Sequence, residues 1–236
     1  MRENLFGRRD RKPALILLVV PIVLMLWVYC GKQAQFDRFF GQIQGPWQDF
    51  YSTIYEYLMA FLLMFVVPFL VVKLAFKQAL HEFGLWLGDA RCGFRVVVIG
   101  LPILLVIAYT GSLDSAIQAE YPLAKSSMQH VSSFLLVELF YLAYYLGWEF
   151  LFRGFMLFGL EERFGVLLAI LVQMIPSAIV HIGKPASESF AAIVAGLVLG
   201  YVAVRTRSIL YPLLLHAAVG IGTDVFVALR LMYRFA

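Results

Sequence analysis

Seven runs of apolar residues, near 14–30, 54–76, 94–110, 132–158, 165–182, 189–204 and 208–228, constrain this chain more than any other feature. Each is long enough to cross, or nearly cross, a hydrocarbon core about 30 Å thick. A backbone surrounded by lipid must satisfy its own hydrogen bonds, and no period-two alternation marks a barrel. The expected class is therefore all-α, a polytopic transmembrane helical bundle of about seven to eight spans. Charged residues make up only 14% of the chain against 62% hydrophobic, which a soluble domain would not tolerate. Seven spans with short connections fill 236 residues, so one membrane-embedded domain over 1–236 is expected.

The basic residues sit beside the apolar runs. With the N-terminus inside, eleven fall on inner segments or span edges: Arg2, Arg8, Arg9, Arg11 and Lys12 before the first span, then Lys77, Arg91, Arg95, Arg163, Arg205 and Arg207. Four fall outside: Lys32, Arg38, Lys125 and Lys184. That bias places the N-terminus in the cytoplasm and accounts for the net charge of +4 without any nucleic-acid partner. The first run is about 17 residues long and carries Trp27 and Tyr29 at its far end, with no small-residue cleavage pattern after Cys30. An uncleaved first span is expected. Cys30 then lies near the outer surface and Cys92 in an inner loop, too far apart to pair. Arg230 and Arg234 follow a seventh span that should end outside unless the last segment breaks and turns back. The outer stretch from Gln33 to Tyr51 mixes aromatic and polar residues as interfacial helices do. The stretch from Gly111 to His130 is the other long outer connection.

Five ionisable residues interrupt apolar runs: Glu149, Arg153, His181, His216 and Asp224. A charge at mid-bilayer costs about 2.5 to 3.5 kcal/mol on insertion scales, so such residues face a bundle interior or a wet cavity. Glu149 and Arg153 are four apart and share a helix face, where they form an ion pair or a packing clamp. Glu138 and Tyr145 lie on nearly the same stripe, because eleven residues from Glu138 to Glu149 make almost three turns. His181 closes the fifth run just before Gly183, Lys184 and Pro185, where a cap or interfacial role competes with a functional one. His216 lies about eight residues into the last run. Asp224, two turns on and about 80° round, either lines the same cavity or reaches the outer surface. Counted from the inner ends at ~1.5 Å per residue, Glu149 is roughly 15 to 18 Å deep, His216 about 12 Å and His181 about 24 Å. Tilt or a helix break must remove that spread if the three are to meet.

A carboxylate and neutral imidazoles in a low-dielectric cavity suit activation of water, with the acid as base and a histidine holding the water or an oxyanion. No Gly-x-Ser-x-Gly turn is present, and the apolar runs offer no obvious triad serine. Glutamate and two histidines could in principle hold a catalytic zinc. No His-Glu-x-x-His helix occurs, however, so no metal and no cofactor are expected.

Over roughly residues 130–228 these residues resemble the membrane-embedded CAAX-protease and bacteriocin-processing family. Its three motifs are Glu-Glu-x-x-x-Arg, Phe-x-x-x-His and His-x-x-x-Asn or Asp, on separate membrane helices. Glu149 and Arg153 match the second glutamate and the arginine of the first motif, followed by Gly154; His181 matches the second motif's histidine and His216 the third's. Trp148 occupies the first glutamate position, Ser177 the phenylalanine position and Gly220 the final Asn or Asp position.

The resemblance implies a glutamic-type intramembrane endopeptidase that cuts near the C-terminal tail of a membrane-anchored protein or peptide. In that reading Glu149 and His181 activate water, His216 partners the water or the oxyanion, and Arg153 orients Glu149. Glu138, Tyr145 and Asp224 are possible supporting residues. The family-level location is a prokaryotic inner (cytoplasmic) membrane, with the lipid bilayer and the tethered substrate as partners. Two other classes use the same residues differently. In a non-catalytic scaffold or immunity-type protein of this fold they only lock helices. In a proton-coupled transporter they would relay protons, although no matching half-repeat accompanies them.

Overall fold

Lipid leaves a backbone no partner but itself, and this chain answers with helices: 84% of the structure is helical, and no strand forms among the described residues. A computed structural model describes residues 7, 9–41 and 45–234, the side chains of 233 and 234 excepted. Arg2 and Arg8 of the basic N-terminal cluster, residues 42–44 of the first outer segment and the Arg234 side chain lie outside the described residues.

Besides two short 3-10 helices, Leu80–Phe83 and Lys125–Gln129, the described residues form nine longer helical segments: α1 (Arg11–Gly31), α2 (Gln33–Phe40), α3 (Gln48–Phe76), α4 (Ala90–Gly111), α5 (Ser115–Glu120), α6 (Val131–Phe164), α7 (Val166–Ile179), α8 (Ala186–Thr206) and α9 (Leu210–Arg234). Six of them, α1, α3, α4, α6, α8 and α9, are long and apolar enough to cross a membrane, and the protein is an integral membrane protein. The fifth expected span, 165–182, is shorter than its hydropathy suggests. As α7 it has 14 residues, about 21 Å, and stops at Ile179. A turn through Val180, His181 and Gly183 carries the chain onward, so His181 lies beyond a helix end.

Polar residues gather at the two ends of the bundle. One end is tied by Arg163 to Asp10 at 2.8 Å and Arg207 to Glu161 at 2.6 Å, the other by Lys32 to Glu56 at 3.0 Å and Lys184 to Glu120 at 2.6 Å. Segment α7 with its turn therefore still runs from the first end to the second. Helix α9 leaves the first end, where the Ile209 amide donates to the Gly84 carbonyl at 3.0 Å. It continues unbroken until Arg230 Nε donates to Ser112 Oγ at 2.8 Å at the second. Through Arg234 the chain does not turn back. Cys30 and Cys92 sit at opposite ends and are both free. In the outer stretch that began at Gln33, an eight-residue helix, α2, precedes α3.

Helix α6 is the axis of the core. Its residues from Phe150 to Phe158 form wide π-helical turns, and all nine are buried. Small residues let helices approach it and one another. A Cβ at Gly200 would meet Gln173 Nε2 at 2.9 Å, and that amide donates across the α7–α8 contact to the Gly196 carbonyl at 2.8 Å. By contrast α4 turns Phe94, Ile99, Ile103 and Val106 outward, as a lipid-facing helix does.

Candidate active site

Glu149 ends the regular part of α6, and the wide turns that follow keep Arg153 on its face. The Arg153 guanidinium donates from Nη1 to Glu149 Oε1 at 3.0 Å, with both side chains at most 1% exposed. The same oxygen accepts from His216 Nδ1 of α9 at 2.6 Å. An ion-paired carboxylate only accepts, so the shared proton sits on Nδ1 and Nε2 of His216 is left as a base. Glu149 Oε2 and Arg153 Nε are buried without a protein partner, so protein atoms satisfy this pair only in part.

His181 is set the same way. Its Nδ1 lies 2.7 Å from the Ser177 carbonyl oxygen, which can only accept, and this again leaves Nε2 as the unprotonated nitrogen. Trp148 packs T-shaped on both imidazoles, with ring centroids 5.2 Å from His181 and 6.4 Å from His216. Glu149, Arg153, His181 and His216 are thus brought together from α6, the turn after α7, and α9. Helix α7 stops early, and its turn brings His181 to Trp148, the neighbour of Glu149.

His181, His216, Trp148 and Tyr145 line a cavity of about 60 Å³. Glu149 is not among its walls and is completely buried, so His216 connects it to the cavity. The cavity's volume is far less than the ~300 Å³ or more of a small-ligand pocket.

The three supporting candidates divide. Tyr145 lines the cavity, with its ring 4.7 Å from that of His216. Its hydroxyl occupies a notch that exists because residue 220 is glycine. A Cβ there would overlap the hydroxyl and lie 2.6 Å from Tyr145 Cζ and 3.0 Å from Cε2. Glu138 and Asp224 are buried outside the cavity wall, and none of their carboxyl oxygens has a hydrogen-bond partner among the described residues. Asp224 therefore does not reach the surface; its helix face meets α6, which places it against Glu138.

Sequence reasoning missed the rest of the wall. Glu56 and Tyr57 come from α3, and Tyr57 stacks on Tyr141 of α6 with centroids 4.6 Å apart and planes 3° apart. At the second end of the bundle the mouth is ringed by Lys32, Tyr121, Lys184 and Glu188. Lys32 bonds Glu56 and sits 3.8 Å over the Trp27 ring; Tyr121 donates to Glu188 at 2.8 Å. Burial, reinforced by the Glu188 carboxylate, holds the Tyr121 hydroxyl well above the usual tyrosine range, so it stays a donor. Glu56 had a visible signal, an acid near the start of an apolar run. Glu188 looked like an ordinary residue of a helix's first turn.

Among the described residues no three His, Cys, Asp or Glu side chains come together as metal ligands would. Residues 130–221 match a family model described as Rce1-like, type II CAAX prenyl endopeptidase Rce1-like. That match is consistent with the CAAX-protease and bacteriocin-processing family and covers the motifs that carry Glu149, Arg153, His181 and His216. No curated protein and no solved structure matches the chain.

Proposed function

We propose an intramembrane endopeptidase, on the premise that residues 130–221 match a family model described as Rce1-like, type II CAAX prenyl endopeptidase Rce1-like. Its substrate is a membrane-tethered protein, cut at a peptide bond near the C-terminal tail. One observation carries the reading: a carboxylate and two imidazoles from three segments converge at a polar cavity inside an apolar bundle, with His216 Nδ1 2.6 Å from Glu149 Oε1.

The two Nε2 atoms left as bases can hold a water. As its oxygen attacks the scissile carbonyl carbon, its proton passes to His216 Nε2, and Glu149 stabilises the resulting imidazolium through Nδ1. That proton then goes to the leaving nitrogen as the C–N bond breaks, giving a carboxylate and an amine. Arg153 orients Glu149. The sequence suggested that Glu149 meets water directly. Its burial outside the cavity wall and its bonds to both Arg153 and His216 favour action through His216. Trp148, at the family's first glutamate position, shields the pocket rather than supplying a base.

A cavity this small admits a peptide only if its mouth opens, where Lys184–Glu120 and Tyr121–Glu188 tie the turn after α7 and the start of α8 to the α5 region. With the N-terminus in the cytoplasm of a prokaryotic inner membrane, that mouth faces the opposite side. The narrowness of the cavity, with Trp148 packed on both histidines, favours a second reading: a non-catalytic membrane scaffold of the same fold.

The test is cleavage of a farnesylated peptide ending in Cys-aliphatic-aliphatic-X by protein reconstituted in lipid nanodiscs, compared with His216→Ala and His181→Ala. The enzyme reading expects cutting by wild type, unaffected by EDTA or 1,10-phenanthroline, and none by either variant. It also expects one precursor to accumulate in membranes of cells carrying Glu149→Gln. Equal cleavage by wild type and His216→Ala removes the enzyme reading. Folded wild type that cuts nothing, with no precursor accumulating, supports the scaffold.

A further inference from the structure

We propose that Tyr145 is a further catalytic residue, whose hydroxyl, seated in the notch at Gly220, donates a hydrogen bond to the oxyanion formed during peptide hydrolysis. The inference rests on the endopeptidase reading and adds to it a group in contact with the reacting atoms.

Helices α6 and α9 mesh through two consecutive turns. Glu149 engages His216, and one turn away along both helices Tyr145 engages Gly220, since each pair of positions is four residues apart. The ring of Tyr145 lies against His216 at 4.7 Å, which fixes its hydroxyl one turn of α9 from the imidazole. Tyr145 lines the same small cavity as both histidines, so its side chain borders the space where a carbonyl carbon would meet the water. Packing alone does not require the oxygen: phenylalanine would fill the same volume, and α9 has no side chain at 220 so that the hydroxyl can fit. The direction is also suitable for a donor. His216 acts as the base on one side of the attacked carbon, so the developing negative charge needs a neutral O–H or N–H from another position. A phenol supplies one without carrying charge into the membrane.

Tyr145→Phe removes only the oxygen, and Gly220→Ala places a methyl where the oxygen sits. Both are measured with the farnesylated Cys-aliphatic-aliphatic-X peptide in nanodiscs. A phosphonate analogue of that peptide, whose charged oxygen imitates the oxyanion, gives an independent binding readout. For Tyr145→Phe the expectation is a kcat lower by about 10²-fold or more, KM within about twofold of wild type, and phosphonate affinity reduced by a similar factor. Melting temperature should hardly move. Gly220→Ala should lose kcat in the same way, and the two losses should not add in the double variant, because both remove the same donor.

Wild-type kcat and phosphonate affinity in Tyr145→Phe overturn the role of Tyr145 and leave the endopeptidase reading standing. A lower melting temperature with kcat unchanged overturns it too, because the residue then only packs. A wild-type protein that neither cuts the peptide nor binds the phosphonate overturns both.

Discussion

Replacing Glu149 with glutamine separates the structural from the chemical work of one carboxylate. Glutamine keeps the shape and one acceptor oxygen but removes the charge that faces Arg153 Nη1 at 3.0 Å and His216 Nδ1 at 2.6 Å. Arg153 is 1% exposed, so it would become a buried cation without a counter-charge, a loss of about 3 to 5 kcal/mol. At roughly 2 to 4 °C per kcal/mol for a chain of this size, the melting temperature should fall by about 6 to 20 °C. Cleavage should fall further than folding accounts for. A neutral amide no longer holds the Nδ1–H tautomer of His216 or stabilises its imidazolium, an effect of about 10⁴ in kcat in the comparable serine-protease dyad. The companion variant Glu149→Gln/Arg153→Met removes both charges. It should recover most of the melting temperature, because an apolar replacement of a buried pair is often neutral, while remaining inactive. Differential scanning fluorimetry in detergent and peptide cleavage in nanodiscs read the two effects separately. Recovery of cleavage in the double variant would refute the reasoning, since Glu149 would then serve only to neutralise Arg153.

Other outcomes follow from the same geometry. Trp148→Ala empties a buried indole that packs T-shaped on Trp27 at 6.0 Å and should cost about 3 to 5 kcal/mol, read as a fall in melting temperature; an unchanged midpoint would deny its core role. Gly200→Leu drives a side chain into Gln173 and Ile170 across the α7–α8 contact and should destabilise by about 1 to 3 kcal/mol, again seen in the melt. In intact cells a membrane-impermeant maleimide should label Cys30 and leave Cys92 untouched until the membrane is opened; the reverse pattern would invert the proposed orientation.

Much of this protein is written in local signals. Lipid forbids an unpaired backbone, so runs of apolar residues settle the all-α class, and their lengths locate six of the membrane-crossing helices. Helical spacing alone puts Glu149 and Arg153 on one face, and the cost of burying an imidazole marks His216 as a residue with a purpose. The tertiary structure decided the rest, because convergence depends on where helices end and how they mesh. Helix α7 stops at Ile179, so His181 reaches Trp148 from a turn. The missing side chain at Gly220 receives the hydroxyl of Tyr145, a partnership between residues 75 positions apart that no periodicity encodes. Glu56 and Glu188 reach the cavity wall from α3 and α8, helices whose own patterns show only an acid near a span end. Hydropathy reports whether a residue can face lipid. Which buried neighbours it meets is set by the packing of one helix against another, and the candidate site consists of such meetings.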